Sequence, residues 1–267
     1  MKTLKLSTLL VALASVFTFS SCMDSDNENY GNVFLEYVTI TGDSSFGYTF
    51  HDDAGCTLKP TASSIQTVLP GLAGSNVKRA IIACELVNDE TTTQLEEGKT
   101  YEVNLIDYYG ANIALPTINT IRRNENPSTA EADTLITKNN GTLSVDSSKK
   151  IWAINGYVNA AMIINWDGGS TINMKAYYNA SDIDIANNTL TLNIYYNSQS
   201  GNAYIQQVQS VFCFDLPEEL YSSYESDEIT IVMKAKNNSQ DPTGSSELVE
   251  VGRCQMATKH LFQPIGY

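Results

Sequence analysis

The stretch Thr189-Leu190-Thr191-Leu192-Asn193-Ile194-Tyr195-Tyr196 decides the fold. Leu190, Leu192, Ile194 and Tyr196 recur at every second position, with Thr191, Asn193 and Tyr195 between them. A strand sends successive side chains to opposite faces, so this alternation buries one face and wets the other, as antiparallel sheets do. The same period extends in both directions. Ile172, Met174, Ala176 and Tyr178 oppose Thr171, Asn173, Lys175 and Tyr177. Ile229, Ile231 and Met233 oppose Thr230 and Lys234, and upstream Tyr101, Val103 and Leu105 oppose Glu102 and Asn104. Turn chemistry separates the runs: Asp167-Gly168-Gly169, Asn187-Asn188, and residues 197–202 with Gly201. Such residues tolerate the positive φ of tight hairpins. Residues 151–235 therefore read as a meander of hairpin-linked strands. The helical signal is Pro217-Glu218-Glu219-Leu220, with Pro at a suitable first helical position.

Between Arg122 and Lys150 the chain is poor in aromatics and rich in Asn, Ser, Thr and Asp, which reads as a linker with one short strand at Thr134–Thr137. Before it, strands are expected near Val33–Ile40, Phe46–Phe50, Val77–Val87, Lys99–Ile106 and Ile113–Ile121. Five strands suit a small OB-like barrel. The expected fold class is all-β: an N-terminal OB-like barrel over 33–121, a linker over 122–149, and a C-terminal antiparallel β-sandwich over 150–267.

The N-terminus carries an address. Lys2 and Lys5 precede an apolar run from Leu6 to Thr18, followed by Ser20-Ser21-Cys22. The run is shorter than the roughly 20 residues that span a bilayer as a helix. Basic flank, short apolar core and small residues describe a cleaved secretory signal over 1–21. Cutting before Cys22 leaves a thiol suited to lipidation, and two or more acyl chains hold a protein stably to a membrane. The acidic run Asp24-Ser25-Asp26-Asn27-Glu28 begins a tether over 22–32. Asp24, Asp26 and Glu28 resemble the acidic surface-export signal of lipoproteins in certain anaerobic Gram-negative bacteria. The expected location is the outer membrane, lipid-anchored, at the cell surface.

Composition limits the partners. The chain has 16 Lys and Arg against 30 Asp and Glu. Loss of Lys2 and Lys5 with the signal takes the net charge from −14 to −16. Nucleic acid, whose phosphates attract Lys and Arg, is excluded as a partner. Four cysteines remain beyond Cys22: Cys56, Cys84, Cys213 and Cys254. Outside the cytoplasm they could pair as Cys56–Cys84 and Cys213–Cys254. Equally, Cys84 and Cys213 lie in apolar strands where a thiol serves as a small buried group. No metal-ligand spacing occurs, so no cofactor is expected.

No catalytic constellation emerges. His51 precedes Asp52 and Asp53, which could suggest base or metal chemistry, but His51-Asp52-Asp53-Ala54-Gly55 has the composition of a strand-to-strand turn. His260 lies far away in sequence, and no nucleophile elbow or phosphate loop is present. The carboxylate pairs Glu96-Glu97 and Glu218-Glu219 sit in loops or turns. A binding role rests on Tyr. Tyr177 and Tyr195 fall on the polar faces of their strands, and on neighbouring strands the two rings could form a stacking platform for sugar. Ordinary cross-strand aromatic packing is the other reading. Asp133-Thr134-Leu135 resembles an O-glycosylation triplet, making Thr134 a candidate for a glycan in the linker.

The chain resembles the NigD-like family of bacterial lipoproteins. In the first half the resemblance rests on Asp43-Ser44-Ser45-Phe46-Gly47-Tyr48, on Asp52-Asp53-Ala54-Gly55-Cys56-Thr57-Leu58-Lys59-Pro60, and on Val77-Lys78-Arg79. In the second it rests on Ile151-Trp152, Gly156-Tyr157-Val158-Asn159, Leu190-Thr191-Leu192 and Phe212-Cys213-Phe214-Asp215-Leu216. It implies an OB-like domain followed by a β-sandwich, and supplies no catalytic or cofactor residue. The expected function is a non-enzymatic binding or assembly role with a glycan or protein partner. The alternatives are a glycan-binding accessory of surface polysaccharide uptake and a bacteriocin-associated factor.

Overall fold

The computed structural model describes residues 32–43, 47–68, 77–87, 92–108, 113–122, 143–145, 151–166, 173–197, 206–236 and 248–259. The expected signal over 1–21, Cys22, Asp24, Asp26, Glu28, Thr134 and His260 lie outside them, as do the expected strand at 134–137 and the expected turn at 167–169. The chain divides into two compact units between Pro116 and Thr117. Both are built almost wholly of strands, as the alternation predicts.

The first unit contains β1 (Phe34–Asp43), β2 (Gly47–Asp52), β3 (Thr57–Pro60), β4 (Arg79–Leu86), β5 (Thr100–Leu105) and β6 (Ile113–Ala114). β1 is antiparallel to both β2 and β4, β2 is antiparallel to β3, β3 is parallel to β5, and β5 is antiparallel to β4. These pairings close a five-stranded ring, which leaves none of the five as a free edge. Val38, Phe50, Leu58, Ile82, Val103 and Leu105 fill its interior. Each is at least nine-tenths buried, worth about 1.5–3 kcal/mol per large aliphatic or aromatic side chain. The short helix Ala62–Val68 follows β3 and contributes Ile65 to that core.

The ring departs from the expected one. Its fifth strand is β3, a stretch the sequence reading left without a strand, and not the segment 113–121. That segment splits: Ile113–Ala114 pairs with β4, while Thr117–Arg122 (β7) enters the second unit.

The second unit adds β8 (Leu143–Val145), β9 (Ile151–Ile154), β10 (Tyr157–Trp166), β11 (Asn173–Tyr178), β12 (Ile183–Asp184), β13 (Thr189–Asn197), β14 (Gln206–Asp215), β15 (Glu228–Ala235) and β16 (Val249–Ala257). The strand order is β16-β15-β13-β11-β7-β14-β10-β8, with β9 on β10 and β12 on β13. The sheet curls until it is nearly closed, and Ile151 of β9 abuts Gly252 of β16. Leu190, Leu192, Ile194 and Ile231 lie in the enclosed core on the faces read from the alternation, and Phe212 and Phe214 join them.

The meander expected over 151–235 is replaced by crossovers. β10 pairs with β14 rather than β11, and β13 pairs in parallel with β15. β7 runs parallel to both β11 and β14 and lies between them. Period-two alternation reports which face a side chain takes and carries no information on which strand lies beside it. Two hairpins of that stretch remain among the described strands: β9–β10, turned by Asn155-Gly156 with both at positive φ, and β12–β13, turned through Asn187-Asn188 with Asn188 at positive φ. A short helix at Glu218–Tyr221 confirms the helical signal, with Pro217 as its N-cap rather than its first helical residue.

Candidate functional site

The barrel wall carries a polar cluster on each side, and β2 divides them. Phe34 and Val38 face the barrel interior, so Glu36 between them in the alternation faces it too. Phe50 faces inward on β2, and Asp52, paired with Val38, shares that face. Asp52 is 2% exposed. Its Oδ1 accepts from the Ala54 amide at 2.9 Å and its Oδ2 accepts from the Cys56 thiol at 3.1 Å. The turn that brings Cys56 back is closed by Gly55 N–H donating to Asp52 O at 3.0 Å. Gly55 is needed there: its φ is +95°, and a Cβ would stand 2.8 Å from Glu97 Cγ.

Burial pushes the Glu36 carboxyl up to about 8, helped by the Asp52 charge beside it and by its hydrogen bond to Asp52. Burial also raises Asp52, although the Ala54 amide and the Cys56 thiol pull it back. Burial, with the neighbouring carboxyls, drives the Cys56 thiol far above the ordinary thiol range and Cys84 up to about 12. Both thiols therefore stay protonated at physiological pH, which suits packing and not nucleophilic attack.

Asp53, one residue on, belongs to the other side of the wall. Its carboxylate grips Arg79 with two bonds, Nη1 to Oδ1 at 2.6 Å and Nη2 to Oδ2 at 2.7 Å. Arg79 is wholly buried and also donates from Nη1 to Thr39 Oγ1 at 3.0 Å. His51 faces outward as well, 3.0 Å from Thr41 Oγ1, and burial lowers its pKa. The turn composition of His51–Gly55 is thus as read, but it also holds a buried ion pair and an inward carboxyl. Glu36 and Arg79 were missed as site residues. The signal for Glu36 was its place in the Phe34, Val38, Ile40 alternation; for Arg79 there was none, since its partner is 26 positions away.

In the second unit, β11 and β13 do neighbour each other, as the tyrosine reading required. The rings of Tyr177 and Tyr195 meet edge to face, with centroids 5.6 Å apart and planes at 76°. Tyr177 is 5% exposed and Tyr195 is half-buried, so of the two readings the packed pair fits and the open platform does not, even though Lys175 on the same face is exposed. The pair takes the cross-strand packing geometry. Cys213 Sγ donates to Asn159 Oδ1 at 2.9 Å between register partners on β14 and β10. Cys254 packs against the enclosed core, on the opposite side of the sheet from Cys213. None of the four described cysteines is joined in a disulfide. Glu96 pairs with Lys99 at the surface, and no group able to hold a metal occurs among the described residues.

No family model matches the chain, and no curated protein matches it. Solved structures do. A candidate toxin-related protein from Parabacteroides distasonis aligns over 85% of this chain and 94% of its own, at 14% identity and a TM-score of 0.56. A candidate lipoprotein from Bacteroides fragilis aligns over 85% and 98%, at 15% identity and a TM-score of 0.55. A NigD-like immunity protein from Bacteroides caccae aligns over 84% and 94%, at 20% identity and a TM-score of 0.52. Each likeness spans more than four-fifths of this chain, and the chain has the fold of a NigD-like protein.

Proposed function

We propose that this chain is a NigD-like lipoprotein, held to the outer membrane through acyl chains on Cys22, displayed at the cell surface, and serving binding or assembly rather than catalysis. The observation that carries the reading is the junction Ser20-Ser21-Cys22 behind a basic, apolar leader. A fold shared with a candidate lipoprotein supports it. The non-enzymatic part is supported by the placement of the most displaced groups. Asp52 takes hydrogen bonds from the Cys56 thiol and from Glu36, and Cys84 packs in the barrel core beside them. Fatty-acid labelling and mass spectrometry of the mature N-terminal peptide test the anchor: Cys22→Ser abolishes incorporation, and an unmodified Cys22 in the native protein overturns the proposal. Neutralising Asp24, Asp26 and Glu28 together tests display, because surface protease then no longer reaches the protein.

A bacteriocin-associated role is the second reading, favoured by an immunity protein and a toxin-related protein among the structures of like fold. A glycan partner remains the third, on a surface other than the Tyr177 ring. The identity of neighbouring genes separates these two, bacteriocin export against polysaccharide uptake. Thr134 is the proposed O-glycan acceptor, testable by a glycopeptide mass shift lost in Thr134→Ala.

A further inference from the structure

We propose that Glu36 and Asp52 hold a single proton between them inside the barrel, and that this proton latches the turn joining β2 to β3, so that its release at alkaline pH loosens that end of the barrel. The proposal is independent of the anchor and of the partner. Register alone places both carboxyls on the inward face, Glu36 between Phe34 and Val38, and Asp52 two residues beyond Phe50. Three carboxyls lie at this part of the wall, Glu36 and Asp52 on its inward face and Asp53 on its outward face. Arg79 is committed to Asp53 by a two-pronged contact on the outer side. The barrel interior that both carboxyls face is lined by Val103 and Leu105 from β5 and Ile82 from β4, with the thiols of Cys56 and Cys84 among them and Tyr48 and Tyr101 at its margin. Two carboxylates cannot both stay ionised in such surroundings without a cation, and the pair retains a proton.

Geometry also decides where the proton sits. Both Asp52 oxygens already accept, one from an amide and one from a thiol, so Asp52 is the acceptor and Glu36 donates. Once Glu36 ionises, its charge faces that of Asp52, with Asp53 close behind. The contacts at risk are those that close the turn: Cys56 Sγ to Asp52 Oδ2, Gly55 N–H to Asp52 O, and Asp52 N–H to Cys56 O at 3.1 Å. The two thiols stay protonated through this range and do not compete for the role.

Infrared titration of the full chain tests the proton directly. The expected result is a protonated-carboxyl C=O band that persists at neutral pH, disappears with a midpoint near about 8, and is missing in Glu36→Gln. Absence of that band from the wild-type protein at neutral pH overturns the proposal, whether or not the variant folds. Urea unfolding tests the latch. The wild-type folding constant drops by up to about tenfold per pH unit between about pH 5 and 8, and Glu36→Gln flattens the profile. Equal slopes in the two proteins overturn the latch.

Discussion

Arg79 and Asp53 form a two-pronged ion pair across 26 residues of sequence, with the arginine side chain fully enclosed. A buried pair is costly to break from one side, because the surviving charge is left without a counter-ion. Asp53→Ala should therefore destabilise the first unit by about 3 kcal/mol, read as a lowered urea midpoint. Replacing both partners with apolar residues of similar volume, Arg79→Met with Asp53→Leu, should cost clearly less than the single change. A double variant as unstable as Asp53→Ala would show that the charge itself is not what matters.

Asp52→Asn should move the pH dependence without abolishing it. Glu36 is raised first by burial and second by Asp52. An acid whose folded value is raised adds stability below its unfolded value of 4.5, and that stability is lost as pH rises through the folded value. Removing the Asp52 charge lowers the upper limit of the window and leaves the lower one in place. The fall in stability should then end at a lower pH than in the wild type, measured by urea midpoints across a pH series. A window unchanged at its upper end would count against electrostatic contact between the two.

Gly252 on β16 gives a paired test of packing. A Cβ there would stand 2.3 Å from Ile151 Cδ1, well inside contact distance, while Ile151 Cγ1 is at 3.4 Å. Gly252→Ala alone should cost about 1 kcal/mol through overpacking. Ile151→Val removes the obstructing methyl, and in that background Gly252→Ala should stabilise by about 0.5–1 kcal/mol, since glycine weakens a strand interior. Thermal melts of the four proteins settle the sign.

Fragment boundaries test the position of β7. A fragment of residues 117–267 keeps the strand between β11 and β14, whereas one of 150–267 lacks it. The longer piece should give a cooperative urea transition, and the shorter should aggregate or melt without cooperativity. A well-folded 150–267 would mean that β11 and β14 can pair without the strand between them.

The legible part of the fold was whatever one strand reports about itself. Leu190, Leu192, Ile194, Tyr196, Val103 and Leu105 all take the face their alternation assigned. Neighbour relations were not legible. Nothing in Thr117-Ile118-Asn119-Thr120-Ile121-Arg122 says that it pairs in parallel with strands more than 50 residues later. Tyr177 shows a second limit: alternation assigns a face and not the burial of each position on it, and Tyr177 is closed over where Lys175 on the same face is exposed. Of the barrel cluster, the inward side of Glu36 was written in its spacing. The charge balance around it depended on which carboxyl Arg79 takes, and that is a tertiary fact.

β7 leaves the ribosome and crosses any export channel well before either of its flanking strands. Until residues 173–178 and 206–215 follow, it has no hydrogen-bonding partner on either side. Late, long-range closure of this kind makes assembly slow and leaves an adhesive ribbon waiting. The order of the chain thus demands that this ribbon be kept from wrong partners until both neighbours have arrived.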